Sequence, residues 1–288
     1  MLKKYTPEQL AKAYKTACMA ELQALKPGNV HVFADGHGMT IHDFIKSADV
    51  SAEVIAQLGL TVGERIFYAV EATQQAVGQN TNLGVLLLCA PLIHAALHVS
   101  DEQTLQQSLV YTLNQLSIDD AKLVAKAILL ASPAGLGGSD VHDVHDVPNV
   151  TLLEMMRWAQ DKDRIAWQYA NAYQDVAEFG ITRYAEAMVK WQNPAWAAAA
   201  LYLGLLTRHP DTHIQRKYGE ALAVKVMQEA HEVEADYWAT DNPKLVQKKL
   251  LAWDASLKQR GLNPGTSADL TVATLLLASL TNFNAALN

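Results

Sequence analysis

Apolar residues return every three to four positions along nearly the whole chain and almost nowhere at every second position. That is the period of helices that turn one face to a core, not the alternation of half-buried strands. Thr6-Pro7-Glu8-Gln9 reads as a helix start, a capping hydroxyl followed by proline at the first helical position. This helix should run to about Leu25, where Pro27-Gly28 ends it. A second fits 40–60, with Ile41, Phe44, Ile45 and Ala48 on one face. Gly59 and Gly63 mark a break before a third at 63–77, and the polar turn Gly78–Asn82 leads into an apolar helix at 83–98.

Ser100 and Gln103 resemble a capping box that opens the next helix, and Asp119-Asp120 lead another to about Ala131. Residues 132–150 are irregular and rich in glycine, a loop length that in a compact helical domain points to function or disorder. Thr151 and Glu154 form a further capping box. Helices then fit 163–179, 181–191, 194–207, 213–238, 242–260 and 267–286, punctuated by Gly180, Asn193-Pro194, His209-Pro210, Asn242-Pro243 and Asn263-Pro264-Gly265. The expectation is an all-α fold, a single multi-helix bundle of about ten to twelve helices that spans residues 1–288 as one domain.

Composition narrows the picture. At 288 residues the chain buries roughly three-quarters of its unfolded surface. Half the residues are hydrophobic and 18% are charged, a globular balance. The net charge of −7 argues against an extended nucleic-acid footprint. The most apolar window, 83–99, carries Pro91 and His94 and is short for a membrane span, so a buried core helix is expected. MLKKYTPEQL has no apolar signal region, and two distant thiols, Cys18 and Cys89, fit a reducing cytoplasm.

In such a bundle the helices supply walls and the breaks between them supply the site. The first break, ELQALKPGNVHVFADGHG, holds Lys26, Asn29 and His31, which suit a phosphate. His42-Asp43 resembles the dipeptide of metal phosphohydrolases, although an aspartate in a first helical turn also suits the macrodipole. Asn80-Thr81-Asn82-Leu83-Gly84 caps a helix, and its free N–H groups suit an anion. Asp140, Asp143 and Asp146 crowd with His142 and His145 on the glycine-rich loop, a set of oxygens suited to Mg²⁺ rather than Zn²⁺. Asp211 leads into Arg216 and Lys217, and Thr266-Ser267-Ala268-Asp269 leads into the last helix. His94 and His98, four apart on an apolar helix, read as packed core histidines. Together these breaks suggest one pocket for a metal-bound polyphosphate.

The order and spacing of the motifs resemble the triphosphoribosyl-dephospho-CoA synthase family. The resemblance rests on Lys26-Pro27-Gly28, His37-Gly38-Met39, Asp43-Phe44 with Ser47, Gly63-Glu64, Asn80-Thr81 with Gly84, Asp211-Thr212 with Arg216-Lys217, and Pro264 to Leu270. It spans almost the whole chain. The Asp/His loop and Asp163-Arg164-Ile165-Ala166 look like a shorter branch of the family, from organisms with methanopterin-type C1 cofactors. The resemblance implies that the triphosphoribosyl group of ATP passes to the 2′-hydroxyl of 3′-dephospho-CoA or a related acceptor, with adenine leaving and Mg²⁺ holding the triphosphate. It implies Asp43, Asp269 and Glu64 as catalytic candidates. Lys26, Gly28, Asn29, His31, Asn80, Thr81, Asn82, Gly84, Arg216, Lys217 and Ser267 would bind substrate, and Asp140, Asp143 and Asp211 metal. The expected setting is cytoplasmic, with small-molecule substrates, no nucleic acid and no membrane, and a homodimer is compatible with it. Two rivals stand beside this reading: an HD-type metal phosphohydrolase acting on nucleotides, and a non-catalytic helical nucleotide-binding protein.

Overall fold

The computed structural model describes residues 5–131 and 147–285, the side chains of 282–285 excepted. Capping chemistry sets where its helices begin. Helix α1 (Pro7–Gln23) starts on Thr6, whose hydroxyl accepts the Gln9 N–H while the Gln9 side chain accepts the Thr6 N–H. In α2 (Ile41–Ala56) the Asp43 carboxylate accepts from the Thr40 N–H and hydroxyl. In α3 (Val62–Val77) Glu64 does the same for the Thr61 N–H. Helix α4 (Leu83–His98) follows, and α5 (Leu105–Asn114) starts on Thr104 with Gln107. The expected Ser100–Gln103 box is instead a turn, closed by the Gln103 N–H on the Ser100 carbonyl. Ser117 and Asp120 cap α6 (Ile118–Ala131), and Thr151 and Glu154 cap α7 (Leu152–Ala159).

The second half runs α8 (Arg164–Ala170), a π-helical turn (Asp175–Gly180), α9 (Ile181–Trp191), α10 (Pro194–Arg208), α11 (Thr212–Tyr218) and α12 (Glu220–Ala239). A 3₁₀ turn (Pro243–Leu245), α13 (Gln247–Gln259) and α14 (Gly265–Ala285) complete it. The fold is all-α, and no strand occurs among the described residues beyond two isolated bridges in the α1–α2 connection. Fourteen α-helices are present among the described residues, slightly more than expected. Part of the difference is Gly219, whose φ of 90° divides the expected 213–238 helix into α11 and α12.

The apolar core is centred on α4, α10 and α14. Helix α4 is buried on all sides and packs against α14, α5 and α3. Helix α10 packs against α9, α12 and α14, and α1 lies across α2 and α14, so the first and last helices share one core. Helix α4 continues through Pro91 because the tyrosines of the 169–173 segment repair the break. Proline donates no hydrogen bond to the carbonyl four residues earlier, which is that of Leu87. The Tyr169 hydroxyl donates to that oxygen at 2.6 Å, and the Tyr173 hydroxyl donates to the Leu88 carbonyl at 3.0 Å. Both rings are buried. No described helix is long and apolar enough to cross a membrane.

Candidate active site

The loop after α1 is a folded device rather than a solvated connector. Lys26 is fully buried; its ammonium donates to Glu21 and, at 2.8 Å, to the Asn29 side chain. Burial lowers the Lys26 pKa and raises that of Glu21, and each partner's charge opposes the shift of the other. Gly28 is the turn of the device: its φ is +86°, and a Cβ there would stand 2.7 Å from the Pro264 ring, so glycine alone fits. The Gly28 N–H donates to Asp254 Oδ1 at 2.8 Å, and Tyr202 donates to the Pro27 carbonyl at 2.7 Å. Asn29 Nδ2 donates to Asn263 Oδ1 at 2.8 Å. The Lys-Pro-Gly and Asn-Pro-Gly segments, far apart in sequence, are therefore pressed together. His31 is buried behind them with Nε2 3.4 Å from Asp254 Oδ1, too poorly aligned for a hydrogen bond, and burial holds its pKa below the usual value.

Beside this device the first turns of four helices meet. Asp211 begins α11. Its Oδ1 accepts the N–H groups of His213 and Ile214, and its Oδ2 accepts the N–H and hydroxyl of Ser267 at 2.8 Å each. Four donors thus fill the carboxylate and join α11 to α14. Burial raises its pKa against the pull of those donors. Thr212 hydrogen-bonds Thr266 and accepts the N–H of Arg164 at the start of α8. Asp163 caps α8 with Oδ1 and takes Arg216 at 2.9 Å on Oδ2. Helix α4 closes the ring: a Cβ on Gly84 would lie 2.0 Å from Asp269 Oδ2 and 2.9 Å from Ile165 Cδ1.

Asp269 sits where these parts meet. It is half-buried and accepts no hydrogen bond among the described residues. Its pKa is raised well above the ordinary carboxylate value, first by burial and then by the negative charges of Glu21 and Asp211, with Arg216 opposing. Lys26 also feels its charge. A carboxylate that keeps free lone pairs amid cations and acids has the chemistry of a base or a ligand.

The remaining expected residues divide. Asp43 and Glu64 are half-buried at the first turns of α2 and α3, engaged by Thr40 and Thr61. Asn80 accepts the Leu83 N–H, and Thr81 hydrogen-bonds Ser47 of α2. Asn82 is a buried latch from α4 to Ser51 and Thr73. Lys217 is exposed beside the Tyr218 ring, 5.1 Å from its centre. Asp140 and Asp143 lie outside the described residues. His94 is half-buried and His98 exposed, their rings stacked 4.3 Å apart, so the pair lies at the core's edge and not inside it. Asp254 and Glu21 were not singled out by the motifs, and Asp163 only as part of Asp163-Arg164-Ile165-Ala166. Asp254 and Glu21 carried only the signal of an acid on a helix, and Asp163 that of an N-cap.

The family model of ATP:dephospho-CoA triphosphoribosyl transferase matches residues 7–286. The chain belongs to this family. A crystal structure described as a candidate triphosphoribosyl-dephospho-CoA synthase from Archaeoglobus fulgidus superposes with a TM-score of 0.61 at 21% identity, over 83% of this chain and 97% of that one. At that identity the likeness concerns the fold. No curated protein matches the chain significantly. The enzyme is a transferase that moves the triphosphoribosyl group of ATP to dephospho-CoA, and nothing found supports the phosphohydrolase reading. Of the motifs that carry the resemblance, the fold brings together Lys26–Gly28, Gly84, Asp211 and Pro264–Asp269, while Asp43 and Glu64 lie at the starts of α2 and α3.

Proposed function

We propose that Asp269 is the general base of the transfer, at the junction of the Lys26 loop with the first turns of α4, α8, α11 and α14. The acceptor is the 2′-hydroxyl of dephospho-CoA. Its oxygen attacks C1′ of the ATP ribose, the C1′–N9 bond breaks, and its electron pair leaves on adenine, which takes a proton. Asp269 removes the proton of the attacking hydroxyl, so the products are adenine and triphosphoribosyl-dephospho-CoA. Charge on the ribose passes through an oxocarbenium-like state, as in glycoside hydrolysis, which a neighbouring carboxylate stabilises. The observation that carries the assignment is the Asp269 carboxylate itself: without a hydrogen-bond donor among the described residues, raised in pKa, and pressed against Gly84. Arg216 and Lys26 supply positive charge nearby.

Magnesium fits as a passenger of ATP. Mg²⁺ takes one or two carboxylates besides phosphate oxygens and waters. Among the described residues no group of three His, Cys, Asp or Glu side chains is placed to hold a metal by itself. Asp211 is filled by four donors and Asp163 engaged by three, which leaves Asp269 at the junction, with Asp140, Asp143 and Asp211 still the metal candidates of the resemblance. Bound there, the ion would neutralise triphosphate charge. The test is chromatography of purified protein incubated with ATP, Mg²⁺ and dephospho-CoA. Adenine should appear only with the acceptor present, with the triphosphate retained on the product. Inorganic phosphate without adenine would overturn the reading.

A further inference from the structure

A second cluster of charge lies beside Asp211, and of its members only Arg164 and His209 stood in segments that the sequence had marked. A small depression, open to solvent, is lined by Arg164, Asp175, Arg208 and His209, and continues past Asp211 to Ser267. Asp175 is 3% exposed and anchors the group. It accepts from Arg164 Nε at 2.7 Å and Gln168 Nε2 at 2.7 Å, with Arg208 Nε and His209 Nε2 each 3.9 Å away. Arg164 also donates from its terminal nitrogen to His209 Nε2 at 2.6 Å, so the histidine proton sits on Nδ1. Aromatic faces hold both guanidiniums: Arg164 lies 3.6 Å from the Trp167 ring centre and Arg208 lies 4.4 Å from that of Phe179.

The backbone is strained to make this arrangement. Ala172 and Tyr173, neither of them glycine, have φ values of 50° and 62°, and Asp175 opens the π-helical turn directly after them. Such conformations are costly for residues with a Cβ and persist where the surroundings enforce them. Here the Tyr169 and Tyr173 hydrogen bonds to α4 do so. Asp211, the other acid of the cleft, is filled by four donors, so two guanidiniums face Asp175 alone, and Arg208 makes no hydrogen bond among the described residues. A planar, stacked, unsatisfied guanidinium on a cleft wall suits a phosphate oxygen.

We propose that Arg164 and Arg208, aligned by Asp175, form an anion subsite that receives the 5′-polyphosphate of one of the two nucleotide substrates. The subsite rests on the transferase reading for the identity of that nucleotide, and on the cleft alone for its preference for polyphosphate. Both substrates carry a ribose 5′-polyphosphate, a triphosphate in ATP and a diphosphate in dephospho-CoA. The cleft's passage from Arg208 to Ser267 leads from such a group toward the turn that bears Asp269.

The test titrates the full-length protein with inorganic tripolyphosphate, using calorimetry for affinity and tryptophan fluorescence for place. Wild type should bind saturably, and Arg208→Ala should weaken binding at least tenfold. Arg208 is half exposed and makes no hydrogen bond among the described residues, only a long ion pair and a ring contact, so its removal should leave the fold intact, checked by an unchanged melting curve. Arg208→Lys should recover only part of the affinity, because it restores charge without the fork. Trp167→Phe should remove most of the fluorescence change while calorimetric binding persists. In turnover, Arg208→Ala should raise KM at least tenfold for one nucleotide, with kcat within threefold. A rise for ATP assigns the triphosphate, and a rise for dephospho-CoA the diphosphate. Absence of tripolyphosphate binding to wild type, or equal affinity in wild type and Arg208→Ala, overturns the subsite. The titration needs no turnover: a wild type that binds tripolyphosphate through Arg208 yet releases no adenine would sink the transferase chemistry and leave the subsite standing.

Discussion

Asp269 is raised in pKa for reasons that also make it costly. Burial and the charges of Glu21 and Asp211 disfavour its anion in the folded state. An acid whose folded pKa exceeds its unfolded value binds its proton more tightly when folded. Stability from this group is therefore complete below the unfolded pKa, near 3.9, and falls as pH rises through the folded pKa. Asp269→Asn removes the charge, so the melting temperature at neutral pH should hold or rise. As the base, the same substitution should lower kcat by about 10²–10⁴-fold. A melting temperature that fell while activity survived would make Asp269 a structural residue. In the wild type, kcat/KM should rise with pH along a limb set above the ordinary carboxylate range, and that limb should vanish in the variant. Gly84→Ala tests the same contact from the other side. Its methyl group would stand 2.0 Å from Asp269 Oδ2, so the carboxylate must move and turnover should fall at least tenfold.

At the scale of elements, the apolar period and the caps carried most of the fold. Thr6, Thr151, Asn193-Pro194 and Gly78 mark helix ends that the structure keeps. The same chemistry has two readings at Asp43 and Glu64, where carboxylates in family motifs are engaged as helix caps. Pro91 shows why other features stayed hidden. A proline inside α4 signals a break, and its repair comes from tyrosines about eighty residues away, which no local pattern encodes. The repair predicts a measurable coupling. Tyr169→Phe leaves the Leu87 carbonyl buried without a donor and should cost about 1–3 kcal/mol in urea unfolding. Pro91→Ala restores the helical N–H, so the double variant should be less destabilised than Tyr169→Phe alone. Additive losses in that cycle would mean that the two residues do not share the Leu87 oxygen.

At the scale of the whole molecule, the chain's two ends make the site together, and Asp254 is the rivet. The motifs at Lys26–Gly28 and Pro264–Asp269 were legible as blocks, but the acid that clamps them was not, because an aspartate on the outer helix α13 carries no special signal. Its carboxylate accepts the Gly28 N–H at 2.8 Å and lies 3.0 Å from Lys258, which also donates to the Ala34 carbonyl at 3.0 Å. Burial alone would raise its pKa, but His31, the Gly28 N–H and Lys258 outweigh it and hold the group below its ordinary value. The sign is opposite to that of Asp269: the stabilisation is complete above the unfolded pKa, near 3.9, and is lost as pH falls through the folded value. Asp254→Ala strands a buried N–H and a half-buried ammonium, and should cost about 2–3 kcal/mol at pH 7. Against wild type, that deficit should shrink when unfolding is measured below pH 4, because the wild-type carboxylate is then also being neutralised. Loosening the clamp frees the loop that seats Lys26 against Glu21, so turnover should fall as well, although Asp254 touches no reacting atom. A deficit that stayed constant from pH 7 to pH 3 would show that its packing, not its charge, holds the two ends of the chain together.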